Sequence, residues 1–202
     1  MTALARMALA SVLAGVIAGC VSSDERGFQR YHVLGDAGMP TIRAQSRRAS
    51  TLLVTPTTAS SFYETQEIVY SRAAGMRAYY QFHAWTERPS RTISELLMVH
   101  LEHSGSFTVI TRAASGVQGS LILNSHLSEF YYDASTDPGT VRVVLTAALI
   151  DPARRVLVAR RTFSRVAPAV SHDAPGAVRG FNMAVGEILD DITAWVDASA
   201  PR

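Results

Sequence analysis

Gly119-Ser120-Leu121-Ile122-Leu123-Asn124-Ser125-His126-Leu127-Ser128-Glu129-Phe130-Tyr131-Tyr132 sets Leu121, Leu123 and Leu127 in one phase, with polar residues at several of the positions between. A strand with one buried face has this period of two. The phase slips by one residue at Glu129 and Phe130, and a β-bulge gives such a slip. The turn Ala134-Ser135-Thr136-Asp137-Pro138-Gly139 leads into a second strand over residues 141–150. Asp151-Pro152-Ala153-Arg154, with proline at the favoured turn position, leads into a third over 156–166. Three long strands joined by short turns form an antiparallel meander.

Around this meander the periods change. Residues 51–55 and 66–72 are β-rich, with Ile68 and Tyr70 in phase in the second, and 56–64 reads as a connecting loop. In 76–85, Met76, Ala78, Tyr80, Phe82 and Ala84 share one face, while Arg77, Tyr79, Gln81, His83 and Trp85 share the other. One face is expected in the core, and the other is amphipathic and aromatic. Thr92-Ile93-Ser94-Glu95 has the form of a capping box, and Ile93, Leu96, Leu97, His100 and Leu101 follow at helical spacing up to Ser104-Gly105. This predicts a helix of about three turns, followed by a strand over 106–111. A final helix is expected from near Pro175, with Val178, Phe181, Val185, Ile188, Leu189, Ile192, Trp195 and Val196 along one face. Strands, helix, strands, helix is the order of an α+β domain: a largely antiparallel sheet with two main helices packed on one side.

The N-terminus reads differently. After Arg6, an uncharged apolar run extends to Ile17 and ends at Ala18-Gly19-Cys20. The run is well short of the ~20 residues that span a bilayer, so residues 1–19 are expected to be a cleaved signal peptide. Ile17-Ala18-Gly19-Cys20 has the form of a lipobox, and Cys20 is the single cysteine of the chain. An exported chain with one cysteine has no internal disulfide to make, and lipidation of Cys20 accounts for its presence. Residues 20–29 then form the lipidated terminus and a short tether, and residues 30–202 a single domain. No aspartate follows Cys20 directly, which by resemblance to other lipoproteins favours the outer membrane, on its periplasmic face. The stretch 35–50, with Gly, Pro, Ser and arginines, is expected to be a second polar loop.

Composition excludes more than it assigns. Arg6 is the only charged residue in 1–19, so removing that segment lowers the formal net charge from +2 to +1, which gives no reason to expect nucleic acid. His100 and His103 lie three apart at a helix end, but nothing in the sequence completes a metal site around them. There is no G-x-S-x-G elbow and no phosphate-cradling glycine loop. Ser171-His172-Asp173 is contiguous, whereas a catalytic triad converges from separate segments, so it is expected to cap the last helix. The chain is therefore read as non-catalytic, with no cofactor and no metal. Tyr79, Tyr80, Phe82, Trp85, Tyr131 and Tyr132 either pack across strands or form a surface for a partner or lipid. Tyr79, Trp85 and Tyr131 are the candidate partner-binding residues.

Several ordered segments carry a resemblance: Tyr31-His32-Val33-Leu34, Ile68-Val69-Tyr70-Ser71-Arg72, His83-Ala84-Trp85-Thr86-Glu87-Arg88-Pro89, Ser104-Gly105-Ser106-Phe107-Thr108-Val109 and the closing Trp195-Val196. Together with the lipobox, this set resembles the auxiliary lipoproteins of ABC-type transport systems, the paraquat-inducible lipoprotein family that accompanies mammalian-cell-entry (MCE) proteins. The resemblance implies a non-catalytic component at the outer-membrane end of an envelope lipid transport system. The partners it implies are an MCE-domain periplasmic protein with its ABC permease and ATPase. Because MCE proteins form rings, a homo-oligomeric ring is a further expectation. The alternative reading is an envelope structural or assembly lipoprotein with no transport role.

Overall fold

The computed structural model describes residues 28–201 except 37, 39 and 46. The signal peptide, Cys20 and all but the last two residues of the tether lie outside the described residues. Among those described, no helix is long and apolar enough to cross a membrane.

The fold is organised on β7 (Leu121–Asp133). Its inward side chains Leu121, Leu123 and Leu127 give way to Phe130 and Tyr132 across a register shift between Leu127 and Glu129, the bulge that the phase slip predicts. β8 (Thr140–Asp151) runs antiparallel along one edge of β7, and β9 (Val156–Pro168) antiparallel along β8. The turn between β7 and β8 depends on Gly139, whose φ of +82° favours glycine. A Cβ there would also collide with the Asp133 carbonyl and the Tyr132 ring.

The other edge of β7 is shared by three segments in succession. β2 (Arg48–Val54) pairs with its beginning, the two-residue β3 (Thr58–Ala59) with its middle, and β4 (Glu67–Ser71) with its end, all parallel. β6 (Phe107–Arg112) extends the sheet in parallel beyond β2. β5 (Ala78–Trp85) pairs antiparallel with β4, and β1 (Arg30–His32) pairs in parallel with β5. The sheet is therefore mixed, not largely antiparallel as the periodicity suggested. A period of two reports which face of a strand is buried and says nothing about the direction of its neighbour.

α1 (Pro89–Ser104) begins a turn earlier than the Thr92 box implied: Pro89 occupies the first turn, Arg88 is the N-cap, and no side chain caps the end. Proline at that position has no N–H to leave unsatisfied, so it opens the helix unaided. Gly105, with φ of +69°, closes it. α2 (Ala174–Ser199) starts beside Pro175, with Asp173 as N-cap accepting from the Gly176 amide at 2.7 Å. Ile93, Leu97 and Leu101 of α1 and Phe181, Val185, Ile188, Leu189 and Ile192 of α2 share one core with the inward residues of β7 and β8. Phe130 and Phe181 stack there at 4.2 Å between ring centroids.

The stretch between β1 and β2 is a strap across the two helices. The Gly35 amide donates to Asn182 at 3.1 Å, Thr41 bonds Asp190, and Arg43 donates to the carbonyl of His103. The Ala44 amide donates to the Ser104 carbonyl at 2.9 Å, and Arg48 pairs with Asp197. Polar and glycine-rich composition reads as loop, and the described residues of this segment have no regular structure of their own up to β2. What fixes it is a series of hydrogen bonds to α1 and α2.

Candidate functional site

An aromatic surface forms where β5, the end of β7 and a 3-10 turn at Ser61–Tyr63 meet. Phe62 stacks on Tyr79 with centroids 4.7 Å apart and planes 14° from parallel, and the Tyr79 hydroxyl donates to the Phe62 carbonyl at 3.2 Å. Tyr63 meets Phe62 edge-on at 5.8 Å. The Arg77 guanidinium lies 3.5 Å from the centre of the Tyr131 ring, and its Nε donates to the Tyr63 hydroxyl at 3.4 Å. Tyr79 and Tyr131 thus belong to one surface, linked through Arg77, Tyr63 and Phe62. Tyr79 and Phe62 remain 37% and 38% exposed, enough for their rings to meet another molecule. Burial pushes the Tyr79 hydroxyl up, with Glu67 and Tyr63 adding to the effect, so it stays a neutral donor. Tyrosine, phenylalanine and arginine are the side chains that protein interfaces favour, since they bury large areas while keeping a polar handle.

Trp85 does not belong to this surface. It is 1% exposed and packs in the core against Phe130 and Phe181, at 5.8 and 5.6 Å between centroids. The alternation over 76–85 grouped it with Tyr79, but the pairing of β4 with β5 is irregular. Glu67 faces Ala84 while Val69 faces Tyr79, so four residues of β5 stand against Ile68 alone. The extra residues break the alternation, and Trp85 turns inward. Phe62 and Tyr63 are not found by the sequence reading, and Arg77, which it sets on the same amphipathic face as Tyr79, is not among its candidates. Two adjacent aromatics in the otherwise small and polar 56–64 loop were the available signal, since loops that hold large apolar residues place them against something.

Beside this surface, His32 of β1 and His83 of β5 stack at 5.1 Å with Nε2 and Nδ1 2.8 Å apart. One neutral ring donates to the other's lone pair. Burial lowers both pKa values; the neighbouring His83 lowers that of His32 further, and Arg30 lowers both. Tyr80 meets His83 edge-on, and burial, then Tyr132 and Tyr70, push its hydroxyl up to about 12.

The remaining polar clusters have structural partners. Ser171 donates to Asp173 at 2.7 Å while His172 lies 3.1 Å from the Tyr132 hydroxyl, so the contiguous Ser-His-Asp run caps α2 as its sequence suggested. Hydrogen bonds from Ser171 and the Gly176 amide hold the Asp173 carboxyl below its usual range. His100 is buried, with Nε2 2.8 Å from Asp36 and Nδ1 3.0 Å from Asp190. A carboxylate oxygen thus stands at each of its ring nitrogens. The ring joins the strap to α2. Among the described residues, no group of three or more His, Cys, Asp or Glu is arranged to hold a metal. The clefts are open and polar in part: one of about 540 Å³ lies between Arg47, Arg48, Asp151 and Arg154, and one of about 570 Å³ between Thr58, His126, Leu157 and Arg160.

The model of the ABC-type transport auxiliary lipoprotein component family matches residues 32–193. No curated protein matches the sequence at a significant level. Among solved structures, protein XCC0632 from Xanthomonas campestris is similar at 18% identity and a TM-score of 0.75, over 84% of this chain and 96% of that one. The protein CT253 from Chlamydia trachomatis is similar at 7% identity and a TM-score of 0.53, over 75% of this chain and 98% of that one. A PelC dodecamer from Paraburkholderia phytofirmans matches at 13% identity and a TM-score of 0.51, over 80% of this chain and 96% of that one. At these identities the likeness is one of fold.

Proposed function

The chain belongs to the ABC-type transport auxiliary lipoprotein component family, and from that premise we propose that it is a non-catalytic docking component of an envelope lipid transport system, anchored at the outer membrane through Cys20. The observation that carries this reading is the connected aromatic surface of Phe62, Tyr79, Arg77 and Tyr131, which offers contact area of the kind that protein interfaces favour. In this reading the partner is an MCE-domain periplasmic protein with its ABC permease and ATPase.

The physical demand is simple. An acyl chain exposed to water costs ~25 cal/mol per Å² of apolar surface, so lipid moving between membranes needs a closed path that meets a bilayer at each end. A small domain on a short lipid tether can hold such a path at the membrane. A homo-oligomeric ring suits that task, and the PelC protein of similar fold is a dodecamer. A strictly monomeric species at high concentration in detergent argues against the ring.

Purification of the lipidated protein from its own envelope in mild detergent, followed by mass spectrometry, tests the reading. Recovery of an MCE protein or the permease supports it. Recovery of only peptidoglycan or outer-membrane assembly factors favours an envelope assembly lipoprotein instead.

A further inference from the structure

We propose that the edge of the sheet made by β1 and the end of β5 rests on the phospholipid surface that holds the N-terminus, and so fixes which side of the domain faces the membrane. The inference rests on the reading that Cys20 is lipidated. Phe28, Tyr31 and Val33 are 91%, 61% and 70% exposed, and Phe82 is 43% exposed. The parallel register pairs Tyr31 with Ala84 and His32 with Trp85. Strand alternation within this ladder sets Tyr31 on the side of the sheet opposite to His32 and Trp85, and the exposed Val33 and Phe82 stand two residues from Tyr31 and from its partner Ala84. Among the described residues β1 pairs with β5 alone, which sets these residues at a margin of the described sheet.

The length of chain before them indicates what covers this margin. Seven residues separate Cys20 from Phe28. An ideal coil of that length would have a root-mean-square span of about 14–17 Å, and full extension sets an upper limit of about 26–29 Å. The interfacial layer on each side of a bilayer is itself about 5–8 Å deep. An acylated Cys20 therefore keeps Phe28 close to the headgroups most of the time, and the exposed residues that follow meet lipid before they meet anything more distant. Their chemistry suits that layer. Aromatic rings with a polar end collect at membrane interfaces, and the stretch from Phe28 to Val33 carries Arg30 and no acidic residue, so its charge favours phosphate.

The lipidated protein in vesicles of phosphatidylethanolamine and phosphatidylglycerol provides the test. The Cys20 thiol is consumed by the thioether, so Tyr31→Cys, Phe82→Cys and Leu157→Cys each give one labelling site; Leu157 is an exposed control on β9. All three sites are on the surface, and circular dichroism checks that each variant folds. With an environment-sensitive fluorophore and headgroup-depth quenching lipids, the labels at 31 and 82 are expected to be quenched at least two-fold more than the label at 157. Equal quenching at the three sites, in protein that floats with the vesicles and carries its acyl groups, overturns the proposal and leaves lipidation standing. An unacylated N-terminal peptide by mass spectrometry, with no flotation, overturns both.

Discussion

The two edges of β7 are built in different ways. Along one, β8 runs as a single antiparallel partner from Ile122–Ile150 to Asp133–Thr140, with one bulge. Along the other, β2, β3 and β4 take turns, each parallel and each arriving through a separate connection. The first edge is local: hairpins bring neighbouring strands together at low cost in chain entropy, and α2 then packs directly on β8 and β9. The second edge is assembled from segments far apart in sequence, and polar clamps from the strap to α1 and α2 hold its connections. The exposed aromatic surface and β1, the first described strand, both lie on this second side. A locally built meander thus carries a set of strands joined through long connections.

The largest effect is expected where the two sides share a core. Phe181 is fully buried between Phe130 and Trp85, so Phe181→Ala removes contacts to both edges and is expected to cost about 3–5 kcal/mol by denaturant unfolding in one cooperative transition. Two separate transitions in the variant instead mean that the sides are independently stable. His100→Leu sharpens the distinction. It leaves Asp36 and Asp190 without their shared partner and is expected to cost about 1–3 kcal/mol. Hydrogen exchange is expected to speed up in the strap and β2 while β8 and β9 keep their protection, and uniform acceleration contradicts the picture of a separately clamped strap.

Acidification tests the edge strand more gently. The folded pKa values of His32 and His83 are lowered below the ordinary 6.5, so unfolded chain binds more protons in that window and stability rises with pH through it. Their contribution is fully present above about 6.5 and is lost as pH falls toward the lowered values, because two imidazolium rings cannot share a 2.8 Å contact beside Arg30. Amide protection of β1 is expected to fall in that window, and to fall less in His83→Gln, where one titrating ring and its effect on His32 are gone while the burial of His32 remains. Asp173, with its pKa lowered below 3.8, loses its contribution only in more acid solution, so the two effects separate. The smallest stability change is expected at Tyr79→Ala, about 1 kcal/mol from loss of the partly exposed stack on Phe62. A thermal melt checks this, while recovery of transport partners in the purification is expected to fall.

The contrast between the edges also explains what the sequence disclosed. The bulge at Leu127–Glu129, the hairpins of β7 to β9 and the buried face of α2 are local features, and each has a residue pattern that physics ties to one structure. Parallel pairing has no such pattern, since Leu52 to Val54 read the same whichever way β7 runs beside them. β1 and β3 are three and two residues long, too short for any period to register. The surface was half legible. Tyr79 and Tyr131 were readable as aromatic positions on strands, whereas the inward turn of Trp85 came from an irregular register, and Phe62 reaches the surface from a turn. The role of His100 was legible as a buried helix position, but its two carboxylates come from the strap and from α2, which only tertiary structure brings together.

In the proposed function, the side of the domain built from β1 to β6 meets the transport machinery. The most direct measurement is site-specific crosslinking in the intact envelope. The chain has no lysine, so amine-reactive reagents do not report on its faces, and a photoreactive phenylalanine analogue placed at Tyr79, or at Thr162 on the far strand β9, does. The account predicts an adduct with an MCE protein or the ABC permease from position 79 and none from position 162. Adducts from 162 alone, or from 79 only to proteins outside any transport system, contradict it.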